Sequence, residues 1–521
     1  MRLNFDLEEY VGRSSRYSYG FSEKYFDSRT HSKEGDAEGY PLKIESPSTD
    51  NRPPTVSQGP EWFDGPLNRP GKGKGGPNSG DGGGGDGGGG DGGGGGGGTY
   101  PVASIDVTVT PTAGDWGDWL GGLGRLSPQI TNEPIKVGIY TGKKDRYQIS
   151  YYGSDGNLYT TNQSATWVDG LKEQTIINIE RTYEMLERLT ELTFTVETFN
   201  DISLKNQYTT AAFAVQTSSY AYAYGPGQEQ YLQDPYLSDM FFNKDYDQYG
   251  TNTNYFTNGF GSHGFSAQIH ETGHTLGLNH TFGGIATPTA YDNFNYSVMT
   301  YEFVGGEPAS FGVGDQAYLA EMYGQGSYNE SDTAYVFTGI TDFNDWFGDN
   351  GSIPVYSLTQ NKLLYDSGGL NSLDFSSDQL SGGVRVSLDT VTGTGSVCYV
   401  DDFNQTAYSG GVMTASMTTF SYGSTFDSVT GTTQNDQFLT RNDISETIIG
   451  GDGLDVVYLP GLETQYRVVD NGADTGDLIA FTGNSSMDTF VEIEYYQFFG
   501  SSVLYQVDAS GFIAYQPPAT A

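Results

Sequence analysis

Ile269-His270-Glu271-Thr272-Gly273-His274-Thr275-Leu276-Gly277-Leu278-Asn279-His280-Thr281-Phe282 decides how the rest of this 521-residue chain is read. The chain holds five histidines, and His270, His274 and His280 fall within eleven positions; His31 and His263 are the other two. A rare residue repeated at fixed spacing asks for chemistry rather than packing. Residues four apart share one face of a helix, so His270 and His274 project side by side and can hold one metal ion. Glu271 is rotated by roughly 100° from His270 and reaches the other side of that ion. Gly277 breaks the helix and lets the chain turn, which returns His280 as a third ligand. Three neutral imidazoles leave the fourth position of a tetrahedral zinc open, as in a catalytic rather than a structural site. Zinc lowers the pKa of a bound water to about 7, and Glu271 is placed to accept its proton.

Downstream, Ser297-Val298-Met299-Thr300-Tyr301-Glu302-Phe303 puts Met299 nineteen residues past His280. H-E-x-x-H alone occurs often by chance; H-E-x-x-H-x-x-G-x-x-H with a following methionine turn is far more restrictive. HETGHTLGLNH followed by SVMTY resembles the metzincin zinc endopeptidases, and among them the serralysin branch. The resemblance implies that Met299 is a hydrophobic floor beneath the metal. It also implies that Tyr301 is a switchable ligand whose phenol stabilises the tetrahedral intermediate. SSYAYAYGPG, residues 218–227, is similar to the edge strand along which such enzymes align an extended substrate, with Ala221, Tyr222 and Ala223 as backbone contacts. Strand addition of that kind holds any peptide through its main chain; a plain edge strand is the alternative. VGDQAYLAEMYG resembles the last helix of the protease domain. The resemblance runs from about Ile135 to the C-terminus and is strongest over 264–303. Two departures bear on specificity: Thr281 stands where many serralysin-like proteins have proline, and the segment from His280 to Met299 is short.

Composition bounds the remaining choices. The net charge is −40, from 65 acidic and 25 basic residues, which repels nucleic acid and anionic membranes and suits hard cations with oxygen ligands. Cys398 is the single cysteine, so no intramolecular disulfide forms and no N-terminal cysteine caps the metal. No run approaches 18 apolar residues, so no membrane span is expected. The N-terminus lacks the apolar core of a secretory signal.

Residues 1–98 read as a disordered or pro-segment arm that ends in a glycine-rich linker, Gly80–Gly98. Residues 99–332 read as the zinc metalloprotease domain. Within it PIKVGIY is a strand, and Ile176, Ile179, Tyr183, Leu186 and Leu189 mark a helix leading to a strand near Leu192. AAFAV is a further strand, and DQAYLAEMYG a short helix. The expected layout is α+β, a twisted sheet under two long helices with the histidine helix at the cleft floor. His263, between Gly261 and Gly264, is read as a loop residue. Residues 333–521 read as all-β, a sandwich or stacked β-coil.

That β-region carries one intact nonapeptide, Gly450-Gly-Asp-Gly-Leu-Asp-Val-Val-Tyr458, and a worn copy beginning at Gly431. In such repeats glycines allow tight turns and aspartates bind calcium between them. GTTQNDQFLTRNDISETIIGGDGLDVV resembles degenerate RTX repeats of secreted bacterial proteins. Asp452 and Asp455 are the leading calcium candidates, with Asn435 and Asp436 behind them, for zero to two structural ions. The segment after them resembles a module of proteins exported by type I secretion, which implies a secreted, extracellular protein without an N-terminal signal. The tail, GFIAYQPPATA, departs from the usual apolar-ended export signal.

The sequence thus points to a secreted, monomeric, zinc-dependent endopeptidase of extracellular polypeptides with a calcium-associated C-terminal β-domain. The alternatives are a non-catalytic secreted surface or matrix protein that keeps the metal, and a metallohydrolase of non-peptide substrates.

Overall fold

The computed structural model describes residues 111–515, with breaks at 127–132, 153–157, 161–165, 227–237, 338–354, 357–361, 389–394, 401–407 and some of three residues or fewer. The expected arm, its glycine linker, His31 and the last six residues lie outside the described residues.

Ile135–Tyr140 (β1), Asp145–Tyr147 (β2), Thr166–Asp169 (β3), Phe194–Phe199 (β4), Thr210–Val215 (β5), Ala221–Ala223 (β6) and Met240–Asn243 (β7) form a seven-stranded mixed sheet. β1 lies parallel to β4 and β5, and β5 parallel to β7. β6 runs antiparallel to β7 at one edge. Alternation gives each strand two faces. Ala211, Phe213 and Val215 pack with Tyr140, Phe199 and Phe241 on one side, while Ala212 and Ala214 join the helices on the other.

Among the described residues four α-helices complete this half: Ala113–Leu120 (α1), Glu173–Leu189 (α2), His263–Thr275 (α3) and Val313–Tyr323 (α4). α2 follows the expected periodicity, burying Ile179, Tyr183, Leu186 and Leu189 against the sheet. Every residue of α3 is buried, so its polar side chains need partners within the protein or a bound ion. His263 is a helical residue and not a loop: Ser262 caps α3, its Oγ accepting from the Phe265 N–H at 3.2 Å. Gly264 read as a break, yet it is close packing that demands it, since a Cβ there would lie 2.1 Å from the Tyr255 carbonyl oxygen.

Beyond residue 333 the described structure is largely β, with one short 3-10 turn at Glu463–Gln465. From Phe426 the chain alternates between two sheets: 426–430, 447–449 and 487–491 lie parallel in one, and 437–439, 456–459 and 495–498 parallel in the other. Val429, Phe438, Ile448, Val457, Phe490 and Tyr496 fill the space between. The turns stack so tightly that a Cβ at Gly450 would lie 2.2 Å from the Glu492 carbonyl oxygen, and Gly451 takes φ 100°. The two halves share apolar contacts. Leu363, Tyr365, Cys398 and Met417 belong to the same core as α2 and α3, and the Trp116 indole donates to the Tyr422 hydroxyl at 2.8 Å. Among the described residues no helix is long and apolar enough to cross a membrane.

Candidate metal centre

The turn after α3 builds much of the site. Gly277 takes φ 99°, its N–H donating to the His274 carbonyl at 3.0 Å, while the Leu278 N–H donates to the Gly273 carbonyl at 3.1 Å. This is a Schellman ending, which needs a left-handed residue that only glycine adopts readily. It delivers the Leu278 carbonyl to His274 Nδ1 at 2.8 Å. His270 Nδ1 lies 2.7 Å from the Val298 carbonyl. A carbonyl only accepts, so each Nδ1 carries the proton and each Nε2 keeps its lone pair for a metal.

His280 returns from the turn with Nε2 3.1 Å from His274 Nε2. One ligand atom from each of the three histidines lies within 4.8 Å of the others; among the described residues this is the one such group of three or more His, Cys, Asp or Glu. Two nitrogens bound to one tetrahedral zinc at about 2.0–2.1 Å stand roughly 3.3 Å apart, close to the His274–His280 separation, so this donor set suits the ion. Burial lowers the pKa of all three imidazoles, that of His274 to about 4, so they are neutral at pH 7. Glu271 is fully buried, and neither carboxylate oxygen has a hydrogen-bond partner. Burial pushes its pKa well above the carboxylate range. An ionised carboxylate there needs positive charge beside it, which three neutral imidazoles lack and a bound dication provides.

The Met299 side chain is fully buried beneath α3. The Tyr301 hydroxyl reaches 2.9 Å from His280 Nε2, and burial, then the Glu271 charge, raise its pKa. β6 packs beside α3, and the Tyr222 phenol feels the Glu271 charge behind its larger burial effect. Ala221, Tyr222 and Ala223 are therefore brought to the site as the free edge of the described sheet.

Three further residues surround the centre, only one of them with a local signal in the sequence. Asp315, in the first turn of α4, accepts from the Ser297 hydroxyl at 2.6 Å and from the Val298 and Gly312 N–H groups at 2.8 Å each. It thus fixes the turn whose Val298 carbonyl orients His270. Asp292 accepts from both the Thr281 and Thr300 hydroxyls, joining the residue after His280 to the residue before Tyr301. Phe282 stacks on His280. The one hint was the acid three residues into a helix after Gly312, a capping pattern.

The calcium candidates are arranged differently. Asp436 accepts from the Thr432 and Val384 N–H groups, Asp455 from the Asp436 N–H, and Glu494 from the Asp455 N–H, forming a buried ladder across successive turns. Asn435 accepts from the Leu454 N–H, and Asp452 is exposed. Asp436, Asp452 and Asp455 do not gather as a cluster of carboxylates around one point. Asp455 Oδ2 is buried with no hydrogen-bond partner.

No family model matches the chain. Among curated proteins it is similar to Serralysin B of Dickeya chrysanthemi, 28% identical over 321 residues that cover 48% of this chain and 63% of that protein. The chain therefore spans less than two thirds of that relative's length. The similarity is distant and partial, and it is of a serralysin-like kind.

Proposed function

We propose that this chain is a secreted zinc-dependent endopeptidase of the serralysin-like, metzincin type that hydrolyses extracellular polypeptides. The observation that carries the reading is the buried, unpartnered carboxylate of Glu271 beside three converging neutral imidazoles. His270, His274 and His280 would hold the zinc, which when bound polarises a peptide carbonyl and lowers the pKa of water. Glu271 accepts the proton of the attacking water and passes it to the leaving amine. Tyr301, its phenol kept protonated by burial, donates a hydrogen bond to the developing oxyanion. Ala221–Ala223 bind an extended peptide by their backbone, which the free edge of β6 supports.

In this reading residues 99–332 form the protease domain and 333–521 an RTX-like β-roll, with 1–98 as an appended arm. The alternating parallel strands support the roll. The bare Asp455 Oδ2 supports a structural calcium ion. Export by a type I system and action as a monomer complete the proposal.

The test is casein hydrolysis by wild type beside Glu271→Ala, with bound zinc quantified in each. The expected result is one zinc in both and a loss of about 10²–10⁴-fold in the variant. Zinc in both with no hydrolysis by wild type, even after removal of residues 1–98, would leave a metal-binding protein instead.

A further inference from the structure

We infer that Phe282 is the positioning residue of the third histidine, doing with a stacked ring what backbone carbonyls do for the other two; this rests on the zinc reading above. His270 and His274 are each oriented by a carbonyl at Nδ1 and are buried, 1% and 4% exposed. His280 is partly exposed, and among the described residues no acceptor faces its Nδ1. Its main-chain N–H donates to Asn279 Oδ1, which fixes the backbone but not the ring, and the ring's polar contacts, to the Tyr301 hydroxyl and His274, are all at Nε2.

The Phe282 ring holds the face of the imidazole. It lies parallel to the His280 imidazole, 4° between planes and 5.0 Å between centroids, and its other neighbour is Tyr301 at 5.0 Å. A four-residue turn puts it there: the Gly283 N–H donates to the His280 carbonyl at 2.9 Å, folding Phe282 back over the ring two residues before it. The Thr281 N–H, which a proline would lack, donates to the Met299 carbonyl at 3.4 Å and ties the turn to the floor of the site. Phe282 stays 45% exposed, so burial alone does not explain its position. The stack does, by holding Nε2 toward its two partners.

A ligand held by stacking rather than by a hydrogen bond holds a metal less tightly when the stack is lost. The experiment loads the full chain with zinc, mixes it with excess chromogenic chelator and follows release for wild type, Phe282→Ala, Phe282→Leu and Phe282→Tyr. Alanine and leucine should release zinc about three- to tenfold faster than wild type, and tyrosine, which keeps the ring, at the wild-type rate. Matched melting curves of the zinc-free proteins separate this from unfolding. Release from the alanine variant at the wild-type rate overturns the inference, even if its cleavage pattern changes, because Phe282 is then a substrate wall. Leucine at the wild-type rate overturns it too, since bulk then suffices. A wild type that takes up no zinc removes the zinc reading itself, and this inference with it.

Discussion

Between His270 and His274, Gly273 faces the methionine turn, and a Cβ there would lie 2.8 Å from Met299 Sδ and 3.1 Å from Leu278 Cδ1. Gly273→Ala should gain about 1 kcal/mol of helix propensity and lose about 1–3 kcal/mol to overpacking. The net expectation is a loss of stability together with weaker zinc retention, read by denaturant melts and chelator competition. An unchanged melt would show that the methionine moves aside. Asp292 acts on the same centre from outside. Asp292→Ala leaves the Thr281 and Thr300 hydroxyls without their shared acceptor, and its expected signature is a fall in kcat with KM little changed, because Tyr301 and His280 lose their mutual register.

The elements around the site depend on acids placed where backbone amides need them. Asp315 serves three donors from the first turn of α4. Its removal to alanine should cost about 2–4 kcal/mol, since buried donors left without an acceptor are expensive, and a cost under about 1 kcal/mol would mean that water replaces it. In the β-region the ladder sets a pH dependence. Burial, the largest cause, raises Asp455 to about 8 and Asp436 to about 6, above the ordinary carboxylate range. A carboxyl whose pKa is raised on folding contributes stability that is full below its unfolded value, near 4, and lost as pH rises through the folded one. Without divalent cations the melting temperature of the chain should therefore receive a larger contribution from this ladder at pH 5 than at pH 8. Calcium at Asp455 should restore the loss at pH 8; a melting curve insensitive to calcium at pH 8 counts against that site.

Over the whole molecule, the two halves read separately in the sequence share one apolar cluster, in which Leu363, Tyr365 and Met417 sit with Ile179 and Phe265. The Tyr422 hydroxyl accepts from Trp116 on α1 and donates to the Pro111 carbonyl. A shared core couples the stability of its parts, so calorimetry of the zinc-loaded chain should give one main unfolding transition. Two well-separated peaks would show that the halves melt independently.

The sequence by itself determined what is local. Helical spacing put His270 and His274 on one face, Gly277 marked the turn, and alternation located β1, because period and turn chemistry act over a few residues. It misread His263, since a glycine needed for close packing looks the same in a sequence as a glycine that breaks a helix. Tertiary structure alone decided which acid serves which amide: Asp315 acts 17 residues from Val298, and Asp436 52 residues from Val384. It also decided that Phe282 lies on His280, and that residues beyond 360 complete the core under the histidine helix. Such pairings depend on where the chain returns in space, and burial gives them their strength; neither is written in the spacing of a single segment.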